Sequence, residues 1–530
     1  MIKKICFLIC CIASLLLHAQ ESPCKIYWDE NLIQGKKNYL SDTIADASSI
    51  KRPNVIIILA DDLGQTDISL YGNKSVSTPN IDAIGTNGII FNEAYISSPV
   101  CSPSRAGLLT GRYQERFGHE LQPCERYVKN KLQFWGFKQR KSLRPLVPVM
   151  NKNIPTDEDR LRQGLPPSEI TIADVLKKYH YHTAILGKWH LGAMDFALPC
   201  KRGFDYQYGF SEAYTLYANE KDKNIINQKI PHQFMDAHQW KNAKGREGNC
   251  AITKNCCTRI EDTGYLTNRL TDETIQFIER QDTASPFFIY LAYNAPHAPL
   301  QATQYYYDQF ANEPDPIKRI YYAMIKNLDD QIGRLTHYLD STGLAENTII
   351  FFLSDNGGAR YNGTTENKPY RGGKMTNFEG GLRVPMMMQW KNHISNGMYD
   401  EPVISLDIFT TICKMTHCEM PKDRVYDGID LTNTSSNKLD RALYWRSAEN
   451  AAIRYKNWKL VINDIDHTKA LYNLSKNIEE TENVYPDYPL ITKDLETKLQ
   501  AWEKEMVKPL WPRTVNYLFK DANGQYHFAF

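Results

Sequence analysis

Four short apolar runs form the clearest pattern along the chain, and each of them ends abruptly in polar residues. They occupy residues 55–60, 183–186, 287–293 and 348–353. Each run is continuously apolar rather than alternating, which is typical of strands that other elements cover on both faces. The pattern therefore predicts four central strands of one sheet.

Helical patterns lie between these runs. A T-x-x-D capping pattern opens a predicted helix over 171–178, and apolar residues recur at helical spacing over 266–280 and 320–339. Strands that alternate with helices predict an α/β fold with a large mixed, mostly parallel sheet between helices. In such sheets the ligand site lies beyond the carboxyl ends of the strands. The polar residues after the four runs are therefore expected to form one site.

The pattern changes near residue 435, where short strand-like segments and a late helical segment, 492–506, replace the long units. This change predicts a catalytic domain over 51–435 and a smaller α+β C-terminal domain over 436–530. Residues 20–50 are weakly patterned and are interpreted as an N-terminal arm. Residues 123–167, rich in Lys, Arg and Pro, are interpreted as a long excursion beside the site.

The first 19 residues resemble a signal peptide. Lys3 and Lys4 precede an apolar run over residues 5–17, and the small residue Ala19 suits cleavage. The run is too short to span a bilayer as a helix. We therefore expect a periplasmic or secreted protein without a membrane span.

Charge and cysteine content narrow the possible partners. With 63 basic and 61 acidic residues the net charge is +2, which gives no electrostatic case for a nucleic-acid partner. Twelve cysteines fit an oxidising compartment. Local pairing of Cys413 with Cys418, and of Cys250 with Cys256 or Cys257, is plausible, although the sequence does not determine it. Zinc is disfavoured because no C-x-x-C pair or spaced His pair is present.

Two pairs of oxygen-bearing side chains follow strand ends. Asp61 and Asp62 come after the first run, and Asp355 and Asn356 come after the fourth. Either pair alone is better explained as a turn or helix cap. Two pairs at equivalent strand ends favour a site for a hard cation such as calcium, which takes oxygen ligands.

Residues 101–112 read CSPSRAGLLTGR and resemble the signature of type I sulfatases. The resemblance implies the alkaline-phosphatase-like fold of that family. It also implies that a formylglycine-generating maturation enzyme converts Cys101 to formylglycine, the catalytic nucleophile, which Arg105 braces. One calcium ion per chain is implied as well, with Asp61, Asp62, Asp355, Asn356 and the modified Cys101 as its ligands.

Further motifs resemble the same family. GKWHLG over 187–192 implies that Lys188 holds a sulfate oxygen and that His190 takes a proton from the formylglycine hydrate. His297 and Lys374 match its sulfate-contacting histidine and second lysine, and either of them could protonate the leaving group. His119, shortly after the signature, is a candidate substrate contact, with packing as the equal alternative.

The resemblance predicts an exported sulfatase that hydrolyses a sulfated oligo- or polysaccharide. Algal polysaccharides such as ulvan or carrageenan, and glycosaminoglycan fragments, are the substrates considered. One alternative is a phosphate or phosphonate ester hydrolase of the same superfamily, although those enzymes mostly use Ser or Thr nucleophiles and two zinc ions. The other alternative is a non-catalytic glycan-binding protein on the same fold.

Overall fold

The computed structural model describes residues 24–43, 51–123, 127–139, 145–151, 153–231, 233–282, 285–432 and 439–530. The predicted signal peptide and Cys124 lie outside these residues. None of the described helices is both long enough and apolar enough to cross a membrane.

The strands are as follows. They are β1 (Asn54–Ala60), β2 (Ile89–Phe91), β3 (Ala94–Tyr95), β4 (Leu146–Pro148), β5 (His182–Lys188), β6 (Tyr206–Phe210), β7 (Ile225–Gln228), β8 (Thr253–Lys254), β9 (Thr258–Arg259), β10 (Phe287–Ala292), β11 (Leu300–Thr303), β12 (Thr348–Ser354), β13 (Met386–Trp390), β14 (Gly397–Tyr399), β15 (Val403–Ile404), β16 (Ala442–Ser447), β17 (Asn450–Tyr455), β18 (Trp458–Asn463), β19 (Thr468–Asn473), β20 (Val515–Asp521) and β21 (Gly524–Ala529).

The α-helices are as follows. They are α1 (Glu30–Ser41), α2 (Pro79–Thr86), α3 (Cys101–Thr110), α4 (Lys131–Lys138), α5 (Asp157–Arg160), α6 (Ile172–Lys178), α7 (Phe234–Asn242), α8 (Leu266–Glu279), α9 (Gln304–Asp308), α10 (Pro316–Ser341), α11 (Glu379–Leu382), α12 (Asp407–Met415) and α13 (Pro489–Glu503). Short 3-10 turns connect several of these elements.

The four predicted strands lie side by side in the main sheet. Its strand order is β14-β2-β13-β12-β1-β10-β5-β6-β8-β9. Strands β12, β1, β10, β5 and β6 are parallel neighbours, while β13 and β8 join antiparallel. The prediction of a mixed, mostly parallel sheet is confirmed.

Both faces of the sheet are buried, as continuous apolar runs require. Ile56 and Ile58 of β1 pack into a core with Leu270 of α8 and Leu328 of α10. The alternate residues of the same strand, such as Ile57, pack into a second core on the other face with α3, α6 and α12. Helices therefore cover the sheet on both sides.

Helix α6 begins where its capping pattern predicts. The Thr171 hydroxyl accepts a hydrogen bond from the Asp174 N–H at 3.1 Å, and the Asp174 carboxylate accepts from the Thr171 N–H at 2.9 Å. This reciprocal capping box satisfies two backbone donors that the first turn leaves free. The helix continues directly into the turn before β5, which ends at the site.

The C-terminal region forms a second layer next to the main sheet. It contains a four-stranded antiparallel sheet, β16 to β19, and the helix α13. A three-stranded sheet of order β21-β20-β4 joins it to the 123–167 segment, since β4 pairs antiparallel with β20. The sequence did not predict this pairing, because three residues in a basic, Pro-containing segment carry no strand pattern of their own.

A buried ionic cluster joins this region to the catalytic region. Lys459 Nζ lies 2.9 Å from Glu379 Oε1 and 2.9 Å from Glu480 Oε1, and all three side chains are fully buried. Burial raises the pKa of Glu480 to about 7. Burial opposes ionisation of Glu379 as well, but Lys459 and Arg454 hold its pKa at about 2. We refer to Glu379, Lys459 and Glu480 as the Lys459 cluster.

The disulfide pairing differs from the local pairs considered above. Cys200 is bonded to Cys256, while Cys250, Cys413 and Cys418 are free and buried, so those local pairs are wrong. The physical reason is the hairpin of β8 and β9 at the sheet edge. It turns Cys256 toward the segment that follows β5, where the Cys200 N–H lies 3.2 Å from the Cys256 sulfur.

Candidate active site

The predicted site residues converge at the carboxyl ends of the four central strands. Asp61 and Asp62 follow β1, Lys188 ends β5, and Asp355 follows β12. His297 lies in the turn after β10, next to two cis peptide bonds, Ala295–Pro296 and Ala298–Pro299. Because these strands are neighbours, side chains that are far apart in sequence meet in one cluster.

Helix α3 delivers Cys101 to this cluster from one face of the sheet. Every residue of the helix is buried. The Cys101 sulfur lies 3.6 Å from Asp61 Oδ1 and 3.9 Å from Asp62 Oδ1. Since Cys101 is the first residue of the helix, the positive end of the helix dipole lies at the same place and favours negative charge there.

Asp61 is held by two cations. Lys188 Nζ donates to Asp61 Oδ2 at 2.7 Å, and Arg105 lies 3.6 Å from Oδ1. Burial alone would raise the pKa of this carboxyl, but the charges of Lys188, His297 and Arg105 hold it below its ordinary value. Asp61 is therefore ionised at neutral pH.

Asp62 adopts a left-handed backbone conformation, with φ 64°, which turns its side chain into the cluster. Lys374 Nζ lies 2.6 Å and Asn356 Nδ2 2.8 Å from Asp62 Oδ1. The other carboxylate oxygen faces His297 Nε2 at 3.6 Å. Despite burial, Lys374 and His297 keep the pKa of Asp62 below its ordinary value. A left-handed aspartate is uncommon, and here it carries a group of the site.

Arg105 holds the elements around the cluster together. Its Nε and one terminal nitrogen contact Asp355 Oδ2 at 2.9 and 2.8 Å, and the other terminal nitrogen donates to the Lys188 carbonyl at 3.1 Å. Asp355 in turn accepts the backbone N–H of Asp62 at 3.2 Å. One guanidinium therefore ties α3 to β5 and to the residues after β12, which fixes Cys101 relative to the carboxylates.

The thiol of Cys101 is poorly suited to act as a nucleophile. Burial, reinforced by the charge of Asp355, raises its pKa well above the ordinary cysteine value. The thiolate is the reactive form of cysteine. At neutral pH an unmodified Cys101 would therefore be a neutral thiol.

Both predicted histidines are buried and favour their neutral form. Burial and the charges of Lys188 and Arg105 place the pKa of His190 well below its ordinary value. Its Nδ1 has no hydrogen-bond partner in the described part of the chain. Burial also lowers the pKa of His297, although the charge of Asp62 opposes this effect. A neutral imidazole with a free nitrogen can accept a proton.

The donor set fits a hard divalent cation. Ligand atoms of Asp61, Asp62, Cys101 and His297 all lie within 4.8 Å of one another. Two buried oxygens, Asp62 Oδ2 and Asn356 Oδ1, have no hydrogen-bond donor among the described residues. Such oxygens are costly to bury unless something pairs with them, and calcium pairs with oxygens of this kind.

The charged side chains of the cluster balance one another. Three carboxylates, those of Asp61, Asp62 and Asp355, face three cationic side chains, and the closest ion pairs join them at 2.6 to 2.8 Å. The cations are Arg105, Lys188 and Lys374. A bound dication would therefore make the cluster net positive, which suits an anionic ligand.

His119 lies beside the cluster rather than among its charged groups. Its Nε2 is 2.8 Å from the Ser102 hydroxyl, and its ring packs edge-on against Trp511 at 5.1 Å between centroids. Burial lowers its pKa to about 4. These contacts support packing behind the start of α3, and a direct substrate contact of His119 stays a prediction.

Asp67 is a site-supporting residue that the sequence analysis missed. Its buried carboxylate accepts hydrogen bonds from the Thr365 hydroxyl at 2.6 Å, the Tyr321 hydroxyl at 2.8 Å and the Gly64 N–H at 2.9 Å. It thereby ties the loop after Asp62 to the loop before Lys374. The available signal was an acidic residue inside an otherwise uncharged stretch just after the Asp61–Asp62 pair.

Asn367 was missed as well. Its side chain accepts the Gly358 N–H at 3.1 Å and donates to the carbonyls of Gly358 and Gly372 at 3.0 and 3.2 Å. The Lys374 N–H donates to the same Gly358 carbonyl at 3.1 Å. Asn367 thus sets the position of the Lys374 loop, and no local sequence signal indicates this.

Comparisons with known proteins identify a matching family and several similar proteins. The sequence matches the sulfatase family over residues 53–418. It is 32% identical to N-acetylgalactosamine-6-sulfatase of Mus musculus over 410 residues, 75% of this chain and 69% of that protein. It is 30% identical to steryl-sulfatase of Homo sapiens over 456 residues, 75% of this chain and 72% of that protein. The structure of Ps i-CgsB in complex with k-i-k-neocarrahexaose is similar, with TM-score 0.71 and 29% identity over 87% of this chain and 95% of that one.

Proposed function

Because this chain belongs to the sulfatase family and is a sulfuric ester hydrolase, we propose that it removes sulfate from a sulfated carbohydrate, using a formylglycine made from Cys101 and one calcium ion. The observation that carries the proposal is the placement of Cys101. Its sulfur lies within 4 Å of two ionised carboxylates, and Lys188 and Lys374 contact the same carboxylates.

The nucleophile is proposed to be the modified residue because the thiol is unsuitable. The pKa of the Cys101 thiol is raised, so the cysteine itself offers little thiolate. A thiolate is also a soft ligand, whereas oxygen-rich sites take hard cations. A formylglycine at position 101 would supply a hydrated aldehyde with an oxygen nucleophile, and a bound calcium would polarise the sulfuryl oxygens.

The calcium ligands are proposed to be Asp61, Asp62, Asp355, Asn356 and the side chain at position 101. Two of these residues carry the buried oxygens without donors, Asp62 and Asn356. The chemistry of this set, with three carboxylates and one amide, suits calcium better than zinc.

The remaining residues are assigned by their positions around the cluster. Lys188 and Lys374, which pair with Asp61 and Asp62, offset the charge of the sulfuryl group. His190, neutral and with an unpaired ring nitrogen, accepts the proton that regeneration of the aldehyde releases. The proton donor to the leaving group is proposed to be His297 or Lys374, since both contact Asp62.

The carbohydrate assignment is supported by relatives. An N-acetylgalactosamine-6-sulfatase is 32% identical, and a structural relative at 29% identity was solved with a neocarrahexaose bound. Sulfated algal polysaccharides such as carrageenan or ulvan, and glycosaminoglycan fragments, are the proposed substrates. A steryl-sulfatase is similar to nearly the same degree, so a sterol sulfate belongs among the compounds tested.

Export to the periplasm or beyond is proposed from the signal-peptide pattern of residues 1–19. The disulfide between Cys200 and Cys256 supports an oxidising compartment. We also propose that a formylglycine-generating enzyme modifies Cys101.

Sulfate release from a substrate panel tests the proposal. The protein is produced with a maturation enzyme, formylglycine at position 101 is verified by peptide mass, and Cys101→Ala is the blank. The panel contains carrageenan and ulvan oligosaccharides, sulfated glycosaminoglycan disaccharides, estrone sulfate and p-nitrophenyl phosphate. Release from a sulfated sugar, abolished by Cys101→Ala and by a calcium chelator, is expected. Full activity of protein that retains an unmodified cysteine would refute the nucleophile, and preferred hydrolysis of the phosphate ester would refute the reaction.

A further inference from the structure

Helix α4 stands out because its apolar side chains are not buried. Its sequence is KLQFWGFK, and none of its residues is buried. Leu132 is 78% exposed and Trp135 is 61% exposed. Asn130 caps the helix by accepting the Gln133 N–H at 2.9 Å, so the helix is a defined element and not an irregular loop. Exposed large apolar side chains on a defined element commonly mark a binding surface.

The described segment that contains this helix, residues 127–139, carries charge of one sign. Residues 127–139 contain Lys129, Lys131 and Lys138, all exposed, and no Asp or Glu. The whole chain, in contrast, has 63 basic and 61 acidic residues. We define the basic helix surface as Lys129, Lys131, Leu132, Trp135 and Lys138. It combines positive charge with one aromatic ring that is open to solvent.

A short chain of contacts connects this surface to the active site. Helix α4 packs next to β4, and β4 pairs with β20 through Leu146 opposite Tyr517. The Tyr517 ring lies 5.8 Å from that of Tyr361, centroid to centroid. Tyr361 is partly exposed and lies close enough to Lys374 and Asp62 for their charges to act on its phenol. A continuous series of contacts, through β4, Tyr517 and Tyr361, therefore runs from the basic helix surface to the site.

We infer that the basic helix surface binds a linear sulfated polysaccharide chain beyond the sugar whose sulfate is removed. The inference rests on the proposed function and specifies its substrate as polymeric. The lysine ammonium groups would pair with sulfate groups along the chain, and the Trp135 ring would stack on a sugar face. Such a surface raises affinity for long substrates and leaves the chemical step unchanged.

A lipid surface is the alternative partner for a basic, aromatic helix. Binding to a bilayer requires an apolar face large enough to bury among the acyl chains. Here only Leu132 and Trp135 are both large, apolar and mostly exposed, and they share the helix with polar and basic residues. Lysines without neighbouring acids, combined with a single ring, suit a sulfated sugar chain better.

Binding by the Cys101→Ala protein tests the inference independently of catalysis. The probes are ι-carrageenan, chondroitin sulfate, unsulfated agarose and vesicles that contain an anionic lipid. The variants are Trp135→Ala and the triple variant Lys129→Gln/Lys131→Gln/Lys138→Gln. The matched control is Lys51→Gln/Lys414→Gln/Lys422→Gln, three exposed lysines outside residues 127–139. Trp135→Tyr retains a ring and shows whether stacking matters.

We expect the triple variant to weaken binding to a sulfated polymer by about tenfold, Trp135→Ala by a smaller factor, and the control by less than about twofold. The binding is expected to weaken with added salt. In the matured enzyme, KM for the polymer should rise by a similar factor, while kcat and the hydrolysis of a sulfated monosaccharide stay unchanged. The two sulfated probes show which polymer class is preferred.

Three results would overturn the inference: equal binding by the triple variant and the control, equal binding to agarose, or stronger binding to the vesicles. These results are distinct from failure of the proposed function. If the matured wild-type protein releases no sulfate from any compound, the reaction is refuted, whereas binding of the Cys101→Ala protein still measures the surface.

Discussion

Two buried ionic clusters lie in this molecule, and their comparison shows what separates a reactive site from a structural one. The active site brings together Asp61, Asp62 and Asp355 with three cations, and the Lys459 cluster brings two glutamates to one lysine. The side chains of both clusters are buried. Burial of charge by itself is therefore no sign of catalysis.

The two clusters differ in how their carboxyl groups carry protons. In the active site the pKa of Asp61 and of Asp62 is lowered despite burial, and Asp62 Oδ2 has no donor among the described residues. In the Lys459 cluster, burial raises the pKa of Glu480 to about 7, so a bound proton can neutralise this carboxylate in place of a cation. The active-site carboxylates instead stay ionised, each paired with a cationic side chain.

Loss of the nucleophile is expected to have the largest effect. Cys101→Ala should lower kcat by about 10⁴-fold or more, because covalent catalysis is abolished while the fold is retained. Cys250→Ala is the matched control, since Cys250 is also a buried free cysteine but lies outside the cluster. Sulfate release and thermal unfolding are measured for both variants. Comparable loss of activity in the control would show that packing, not chemistry, explains the result.

A pair of lysine substitutions tests the comparison directly. Lys374→Met should lower kcat/KM by about 10²- to 10³-fold, because a positioned cation at the reacting group is lost. Lys459→Met should instead lower the free energy of unfolding by about 3–5 kcal/mol, because it removes the cation that lies between the buried Glu379 and Glu480. Urea unfolding and kinetics of the folded fraction are compared. If Lys459→Met reduces kcat as strongly as Lys374→Met, the division into reactive and structural clusters is wrong.

Asp67 should have a smaller effect, through the loops that it joins. Asp67→Asn is expected to lower kcat/KM by about tenfold and to raise the calcium concentration that gives half-maximal activity, because hydrogen bonds to Gly64 and Thr365 are disturbed. Asp329→Asn is the control: Asp329 is also buried and bound to backbone N–H groups, of Asn80 and Ile81. An equal shift in calcium dependence in both variants would argue against a positioning role for Asp67.

The smallest expected effect is a change in pH dependence. Because the folded pKa of Glu480 is raised to about 7 from 4.5, the folded state binds more protons between these values. Its contribution to stability is present below about pH 4.5 and is lost as pH rises to about 7. Glu480→Gln should remove this slope, by about 1–3 kcal/mol across the interval, with kcat unchanged. Unfolding curves of wild type and variant that run parallel from pH 5 to 7 would contradict the assignment.

Much of the fold was predictable because each central strand has a clear local sequence pattern. Continuous apolar runs predicted β1, β5, β10 and β12, and the structure places these four side by side. Strand order was not predictable, since it depends on which apolar faces pack together over long distances. Strand β4 was missed for the same reason: only its partner β20 makes it a strand.

The site divides in a similar way. Residues that act directly, such as Asp61, Cys101 and Lys188, stand in local motifs with a recognisable chemistry, and the structure brings them together. Residues that hold loops in place, such as Asp67 and Asn367, are defined by partners about 300 and about 10 positions away. The Cys200–Cys256 disulfide was missed because spacing alone carries no information on how a hairpin is oriented.

The pairing of β4 with β20 has a consequence for the order in which the protein is made. Residues 146–148 leave the ribosome long before residues 515–517, which are their partners. At about 5–20 residues per second, this interval lasts tens of seconds. During that time the helix before β4 lacks its sheet partner, whereas the strands that carry the acidic cluster, which end at Ser354, are complete before residue 515 is made. A nascent chain would therefore assemble its reactive centre first and its outer basic helix last.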